Sequence, residues 1–293
     1  MNVLNFGSLN MDYVYEVDHF VRPGETLDSL NRSEKFGGKG LNQSIALARA
    51  GVNVAHAGCI GMGGDQLKQV LIKNGVDTTC LHRVRKMQGH TIIQVNPAGE
   101  NSILLYGGSN RCITRRQIRE TISRFSEGDY LVLQNEINEL PAIVDLAAKQ
   151  GMRIILNPSP YNSALNAVDF SKLSWLFVNE IEVEQITGET DPEKAWEVLH
   201  RRYPDLSALI TLGSRGSFAF RNTNGKVEIA RQEAVRVKAV DTTAAGDTYT
   251  GYFIAGQAAG LPLKQCMERA SKAAAISVTR PGAADSIPWA REL

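Results

Sequence analysis

Short apolar runs of strand length alternate with longer segments of helical periodicity along most of this 293-residue chain. The segments Asn2–Ser8 and Tyr130–Glu136 read as buried strands, whereas Leu41–Gly51 and Leu263–Val278 have helical spacing. A repeated order of strand, loop and helix is typical of an open sheet whose strands are mainly parallel. The pattern therefore predicts an α/β fold with helices on both faces of one large sheet.

Two segments interrupt this alternation. Residues 12–35 are extended and polar, and residues 90–107 alternate as two strands around a turn. Both are expected to lie outside the main sheet, as a small β-sheet lid over its edge. We therefore predict one domain spanning residues 1–293, with the two lid segments inserted into it.

The composition excludes several classes of partner. The net charge is +1, so no electrostatic argument supports binding to nucleic acid or to an anionic membrane. No apolar run approaches the roughly 20 residues of a membrane-spanning helix, and the N-terminus has no signal-peptide core. The four cysteines form no Cys-x-x-Cys pair, which favours free thiols and a cytoplasmic location. The histidines lack metal-ligand spacing and are expected at the surface or in turns: His19, His56, His82, His90 and His200.

The segment FGGKGLNQ (Phe36–Gln43) places three glycines around Lys39, immediately before a helix. Glycines permit close backbone approach, and the N-terminus of a helix favours anionic or polar ligands. The phosphate-loop consensus is absent. The segment is consistent either with a simple connector or with a polyol-binding loop that uses Lys39 and Asn42.

The segment VKAVDTTAAGDTYTGYF (Val237–Phe253) places Gly246 and Asp247 at the start of another helix. Its Ala-Ala-Gly turn leaves no bulky side chain over the first amides, which predicts an anion hole. Asp247 either caps the helix or acts as a base that orients and deprotonates a hydroxyl group. The helix dipole favours the ionised, weakly basic carboxylate, and a weak base suffices for a loose phosphoryl-transfer transition state.

Two further segments suggest a nucleotide and a metal. Asn179 and Glu182 are three residues apart at a strand-to-helix junction and suit Mg²⁺ held through water, although acidic residues at a helix start also serve as dipole partners. In TLGSRGSF (Thr211–Phe218), two glycines follow a buried strand and would allow phosphates or a ribose to lie on the backbone.

With these segments in this order, the sequence resembles the ribokinase branch of the ribokinase-like (PfkB) carbohydrate kinases. The matching signatures are GGKGLNQ, Asn179-x-x-Glu182, TLGSRG and DTTAAGD, and the resemblance covers essentially the whole chain. It implies a three-layer α/β/α domain with a β-sheet lid that also forms a homodimer interface. It further implies transfer of the γ-phosphoryl group of ATP to the 5-hydroxyl of D-ribose.

The resemblance also implies a role for individual residues. Asp247 is the expected base, in an anion hole formed by Ala244, Ala245, Gly246 and Asp247. The expected sugar contacts are Asn10, Asp12, Gly38, Lys39, Asn42 and Glu136. The expected nucleotide contacts are Asn179, Glu182, Thr211, Gly213 and Gly216, with Mg²⁺ on Glu182 through water. The expected K⁺ site comprises Asp241, Thr243, Arg280, Gly282 and Ser286.

Two departures from the family pattern bear on the substrate. The loop Gly61–Gln66 is shorter than usual, and Tyr106 stands where a small residue is typical. They keep open a kinase of the same fold that acts on fructose, deoxyribose, a sugar acid or a nucleoside. A non-catalytic sugar sensor is the remaining alternative, and the retained Asp247 argues against it.

Overall fold

The computed structural model describes residues 1–293, in which 13 strands and eight α-helices follow the predicted alternation. The strands are β1 (Val3–Phe6), β2 (Asn10–Glu16), β3 (Asn31–Gly37), β4 (Val54–Met62), β5 (Asp77–Met87), β6 (His90–Val95), β7 (Asn101–Tyr106), β8 (Tyr130–Gln134), β9 (Arg153–Asn157), β10 (Trp175–Asn179), β11 (Ser207–Thr211), β12 (Ser217–Thr223) and β13 (Lys226–Gln232). The helices are α1 (Lys39–Arg49), α2 (Asp65–Lys73), α3 (Arg115–Ile122), α4 (Leu140–Lys149), α5 (Glu180–Thr187), α6 (Pro192–Arg202), α7 (Ala245–Ala258) and α8 (Leu263–Val278). None of these helices is both long enough and apolar enough to cross a membrane.

Nine strands form the large sheet, in the order β13-β12-β11-β10-β9-β8-β1-β4-β5. All neighbouring strands from β11 to β5 in this order are parallel, which confirms the predicted, mainly parallel sheet. The two strands at the other edge are antiparallel. They are joined at Asn224 and Gly225, which both have positive φ angles, as a tight two-residue hairpin turn requires.

Hydrophobic residues cover the large sheet on both faces. Along β1, Leu4 and Phe6 belong to one buried cluster and Val3 belongs to another, because side chains alternate between the faces of a strand. The first cluster packs the sheet against α3 to α6, and the second packs it against α1, α2, α7 and α8. The clusters contain 35 and 32 buried residues, so neither face is left open to solvent. The three-layer α/β/α arrangement is therefore confirmed.

A separate sheet of four strands has the order β3-β2-β6-β7. Its strands come from the two segments that the sequence placed outside the main sheet, so the predicted second sheet is present. β2 is antiparallel to β3 and parallel to β6, and β7 forms an edge at which all six residues are exposed. Because β2 begins at Asn10, directly after β1, the small sheet adjoins the carboxyl end of the large one.

The expectation that every histidine lies at the surface or in a turn was wrong for His56. Its side chain is 0% exposed in β4, and its Nδ1 lies 2.7 Å from the hydroxyl oxygen of Ser44. Burial lowers the pKa of His56 to about 3, because the interior disfavours the charged imidazolium. His56 is therefore a neutral, hydrogen-bonded residue of the core.

Candidate functional site

The N-terminus of α7 presents backbone amides that have no partner within the chain. Ala244, which precedes the helix, has a left-handed φ of 61°, a conformation that costs a non-glycine residue about 1 kcal/mol. The Ala245 amide donates to the Thr242 carbonyl at 3.2 Å, whereas the amides of Gly246 and Asp247 make no hydrogen bond. A Cβ atom added at Gly246 would meet no heavy atom within 4 Å, so open space adjoins this turn. The predicted anion-hole residues thus bring free donors and a positive helix end together.

The carboxylate of Asp247 accepts hydrogen bonds from side chains of α1. The residue is 7% exposed, and its Oδ2 accepts a hydrogen bond from Asn42 Nδ2 at 3.0 Å. Its Oδ1 accepts one from Gln43 Nε2 at 2.9 Å. No side chain caps α7. Asp247 is therefore held by two amide groups of α1 rather than used as a helix cap.

The glycine loop places α1 directly against the end of β1. Gly38 has a φ of 93°, in the left-handed region that favours glycine, and the helix begins at Lys39. Gly40 crosses the β1 loop so closely that an added Cβ would lie 2.4 Å from the backbone nitrogen of Ser8. The backbone amide of Lys39 donates to Glu136 Oε2 at 3.1 Å, and the Ser8 hydroxyl donates to the same oxygen. These contacts fix Glu136, which follows β8, beside the lysine.

The Lys39 side chain lies in the field of three carboxylates. Burial lowers the pKa of the ammonium group, but the charges of Asp247, Glu136 and Glu182 outweigh burial, and the pKa is raised above its ordinary value. Lys39 is therefore a stable cation at the centre of the site. It faces residues that were predicted separately as the base, a sugar contact and a nucleotide contact.

Asn10 and Asp12 extend the site onto the small sheet. Asn10 Oδ1 accepts a hydrogen bond from Asn110 Nδ2 at 2.7 Å, and Asp12 Oδ1 accepts one from the Thr91 hydroxyl at 2.6 Å. Burial raises the pKa of Asp12 to about 6, and the charge of Glu136 adds to this effect, whereas the Thr91 hydrogen bond opposes it. The predicted sugar contacts thus border one region between the two sheets.

Asn179 and Glu182 form a reciprocal capping box at the start of α5. Asn179 Oδ1 accepts from the Glu182 amide at 2.9 Å, and Glu182 Oε2 accepts from the Asn179 amide at 3.1 Å. The hydroxyl of Ser159 donates to the remaining Glu182 oxygen. Both carboxylate oxygens of the buried Glu182 are therefore already engaged by protein donors.

The predicted nucleotide residues of the fourth segment lie next to this capping box. Thr211 ends β11 and is the register partner of Asn179 on the parallel strand β10. It is followed by a short 3₁₀ turn that starts at the exposed Gly213 and is closed by a hydrogen bond from the Leu212 amide to the Gly216 carbonyl at 2.8 Å. An exposed backbone turn thus adjoins the carboxyl ends of both strands.

Asp241 joins the two loops that were predicted to hold K⁺. Its Oδ1 accepts from the Thr243 amide at 2.9 Å, and its Oδ2 accepts from the Gly282 amide at 2.9 Å. Ser286 is buried nearby along the second loop, and its hydroxyl donates to the Ala283 carbonyl at 2.8 Å. The guanidinium of Arg280 instead pairs with Glu292 at 2.7 Å. The structure therefore unites Asp241, Thr243 and Gly282 but commits the Arg280 side chain elsewhere.

The two departures from the family pattern are also located. The segment Gly61–Gln66 spans the end of β4 and the start of α2. It is tied to the site through Gln88, which accepts from the Gly61 amide at 2.9 Å and donates to the Leu9 carbonyl at 2.6 Å. The Tyr106 ring lies 5.0 Å from the ring of His90, its register partner on β6. Both features border the start of β2.

Comparison with known proteins identifies the family. The model of the pfkB family carbohydrate kinases matches residues 2–290. A ribokinase of Haemophilus influenzae is 36% identical, over 98% of this chain and 95% of its own length. A deoxyribokinase of Salmonella typhi is 28% identical, over 98% of this chain and 96% of its own. The crystal structure of a Cryptococcus neoformans ribokinase in complex with ADP superposes with a TM-score of 0.86 at 31% identity, covering 99% of this chain and 98% of the other. The chain therefore belongs to the pfkB family of carbohydrate kinases.

Proposed function

We propose that this protein is an ATP-dependent ribokinase, which transfers the γ-phosphoryl group of ATP to the 5-hydroxyl of D-ribose. The observation that carries the proposal is the buried Asp247 carboxylate, held by Asn42 and Gln43 at the helix end that carries the free amides of Gly246 and Asp247. The relatives that match over nearly the full chain include a ribokinase, and a similar ribokinase binds ADP.

The proposed reaction requires little covalent chemistry from the protein. Asp247 accepts the proton of the attacking hydroxyl, and the amides of Gly246 and Asp247 donate to the oxygens of the transferring phosphoryl group. A loose transition state depends mainly on positioning and on stabilisation of charge, which these fixed donors supply.

The proposed sugar site supplies both acceptors and donors. Asp12 and Glu136 would accept hydrogen bonds from hydroxyl groups, whereas Lys39 would donate them. Asn42 has its Nδ2 committed to Asp247, and its buried Oδ1 has no partner, so it can accept a hydrogen bond from a bound polyol. Asn10 and Gly38 complete the set.

The proposed nucleotide site lies at the ends of β10 and β11, with Asn179, Thr211, Gly213 and Gly216 as contacts. Glu182 suits Mg²⁺ held through water rather than directly, because Asn179 and Ser159 already donate to its two oxygens. When bound, Mg²⁺ would neutralise charge on the phosphates.

We also propose that K⁺ binds between the loops joined by Asp241. One carboxylate with neighbouring backbone carbonyls, near Thr243, Gly282 and Ser286, suits a hard monovalent cation. A cation there would add positive charge behind the anion hole.

The small sheet is the proposed interface of a homodimer. The edge strand β7 exposes Ile103 (56%), Leu104 (68%) and Leu105 (41%) in succession. An exposed apolar edge strand is normally paired or covered, and a second copy of the same sheet would cover it.

A substrate panel tests the proposed activity. ADP formation from Mg-ATP in KCl would be measured with D-ribose, deoxyribose, fructose, a sugar acid and a nucleoside. The highest kcat/KM is expected with D-ribose. The deoxyribokinase relative makes deoxyribose the second candidate. A preference for deoxyribose would change the assigned substrate but not the proposed roles of Asp247 and the neighbouring amides. If no compound is phosphorylated, the alternative of a non-catalytic sugar sensor is favoured.

A further inference from the structure

A chain of buried amide side chains connects Asp247 with the centre of the large sheet. Gln43 Nε2 donates to Asp247, and Gln43 Oε1 accepts from Gln134 Nε2 at 2.7 Å. Gln134, at the end of β8, also donates to Asn5 Oδ1 at 2.8 Å. Gln43, Gln134 and Asn5 are each 0% exposed, so solvent does not compete for these hydrogen bonds.

The order of donors and acceptors fixes the orientation of each side-chain amide in this hydrogen-bonded series. Asn5 uses its NH₂ group on the Gly40 carbonyl and the Ser44 hydroxyl, both at 2.8 Å, so it can offer only Oδ1 to Gln134. Gln134 uses its two N–H donors on Asn5 and Gln43. Gln43 therefore has its oxygen occupied and can present only its NH₂ group to Asp247.

Each oxygen of the Asp247 carboxylate accepts a hydrogen bond from a side-chain amide. Asn42 and Gln43 are neighbours on α1, and each donates to a different oxygen. The two amides differ on their other side: Asn42 Oδ1 has no partner in the protein, whereas Gln43 Oε1 accepts the hydrogen bond from Gln134. The Ser44 hydroxyl, which accepts from Asn5, also contacts Nδ1 of His56. His56 is neutral, so this end of the hydrogen-bonded series carries no charge.

We infer that Gln43 and Gln134 are positioning residues for the phosphoryl transfer, which keep the Asp247 carboxylate at the angle needed to accept the proton of the attacking hydroxyl. This inference rests on the proposed role of Asp247 as the base. A carboxylate that is held at both oxygens does not have to be reoriented during the reaction. Misplacement of a reacting group by about 1 Å costs on the order of 100-fold in rate.

Replacement of the amide by a thioether of similar length tests the inference. In Gln43→Met the donor to Asp247 is lost, and in Gln134→Met the lock on Gln43 is lost. We expect kcat to fall about 10- to 100-fold in Gln43→Met and less in Gln134→Met, with the KM values for sugar and ATP within about threefold of wild type. Gln43→Glu keeps the shape but places a carboxylate against Asp247, and we expect a larger loss of kcat.

A matched control separates positioning from loss of stability. Gln117 is a buried glutamine of α3 that donates to the Gly58 carbonyl at 2.8 Å and accepts from the Cys59 thiol at 3.4 Å, with no link to Asp247. Gln117→Met removes a comparable pair of buried hydrogen bonds, so it should lower Tm as Gln43→Met does and leave kcat within about twofold of wild type. In an Asp247→Asn background, Gln43→Met should change the residual rate by less than about threefold.

The outcomes distinguish the inference from the proposed function. If Asp247→Asn retains nearly normal turnover, both fail. If Asp247→Asn is inactive while the folded Gln43→Met and Gln43→Glu variants keep the wild-type kcat, the inference alone is overturned. A loss of kcat in Gln43→Met that Gln117→Met matches at an equal loss of Tm would overturn it as well.

Discussion

Asn42 and Asp247 are 205 residues apart in sequence, and the side-chain amide of one donates to the carboxylate of the other at 3.0 Å. The contact joins the glycine loop before α1 to the N-terminus of α7. These are the two segments that the sequence singled out most strongly. Their meeting places the expected sugar contacts and the expected phosphoryl site around one carboxylate.

Asp247→Asn should reduce kcat by about 100- to 10,000-fold, because the amide cannot accept the hydroxyl proton as a carboxylate does. The free amides of Gly246 and Asp247 remain, so ATP binding should change by less than about threefold. Steady-state kinetics and calorimetric titration with a non-hydrolysable ATP analogue measure the two effects. Loss of nucleotide binding in parallel with kcat would indicate a structural role instead.

Asp12→Asn should stabilise the ligand-free protein at neutral pH. The pKa of Asp12 is raised to about 6 in the folded state, so the folded protein binds a proton more tightly than the unfolded chain does. Stability is therefore lost as pH rises from about 4 through about 6, and ionised Asp12 costs about 1–3 kcal/mol above that range. Urea unfolding should show Asp12→Asn more stable than wild type at pH 8 and equal to it at pH 4. Asp18→Asn, at an exposed position of the same segment, is the control and should show no such difference.

The same carboxylate should make sugar binding dependent on pH. Ionised Asp12 accepts hydrogen bonds from sugar hydroxyl groups more readily than the protonated acid does, so the KM for the sugar should rise as pH falls below about 6. The Asp12→Asn variant should have a sugar KM at least about tenfold higher at pH 8, with the KM for ATP little changed. A larger increase in the KM for ATP than in the KM for the sugar would show that Asp12 does not bind the sugar as proposed.

Replacement of KCl by NaCl should lower kcat in wild type and have little effect in Asp241→Asn, which lacks the negative charge for the cation. Burial acts to raise the pKa of Asp241, but hydrogen bonds from Thr243 and Gly282 outweigh it, and the pKa is lowered. The group is thus ionised throughout the range from about pH 5 to 9, and activation by K⁺ should not vary across that range. Asp285→Asn, exposed in the same loop, should retain the activation. Equal rates of wild type in the two salts would eliminate the cation site.

Leu104→Glu should dissociate the proposed homodimer. The side chain is 68% exposed on the edge strand β7, so the charge is tolerated in the monomer but is unfavourable in an apolar interface. Sedimentation velocity at micromolar concentration measures the change, and Ile72→Glu, on the exposed side of α2, is the control. A wild-type protein that sediments as a monomer would contradict the proposal directly.

The sequence predicted the elements whose signal is local. Apolar runs identified the parallel strands, and the Ala-Ala-Gly turn identified the start of α7. The antiparallel β12–β13 hairpin was not predicted, although Asn224-Gly225 is a local turn signal. His56, Gln43 and Gln134 were not identified because their partners are supplied by distant elements. Nothing in the segment VAHAGCIG (residues 54–61) distinguishes a buried histidine from an exposed one. The burial of His56 depends on Ser44 and Asn5, which come from other elements of the fold.

The identity of the product formed from D-ribose and Mg-ATP in KCl tests the central claim most directly. Phosphorus and proton NMR of the reaction mixture would locate the phosphate on the sugar. We predict D-ribose 5-phosphate from the wild-type protein and none above background from Asp247→Asn. Unchanged ribose with wild-type protein, or an equal yield from Asp247→Asn, would contradict the account.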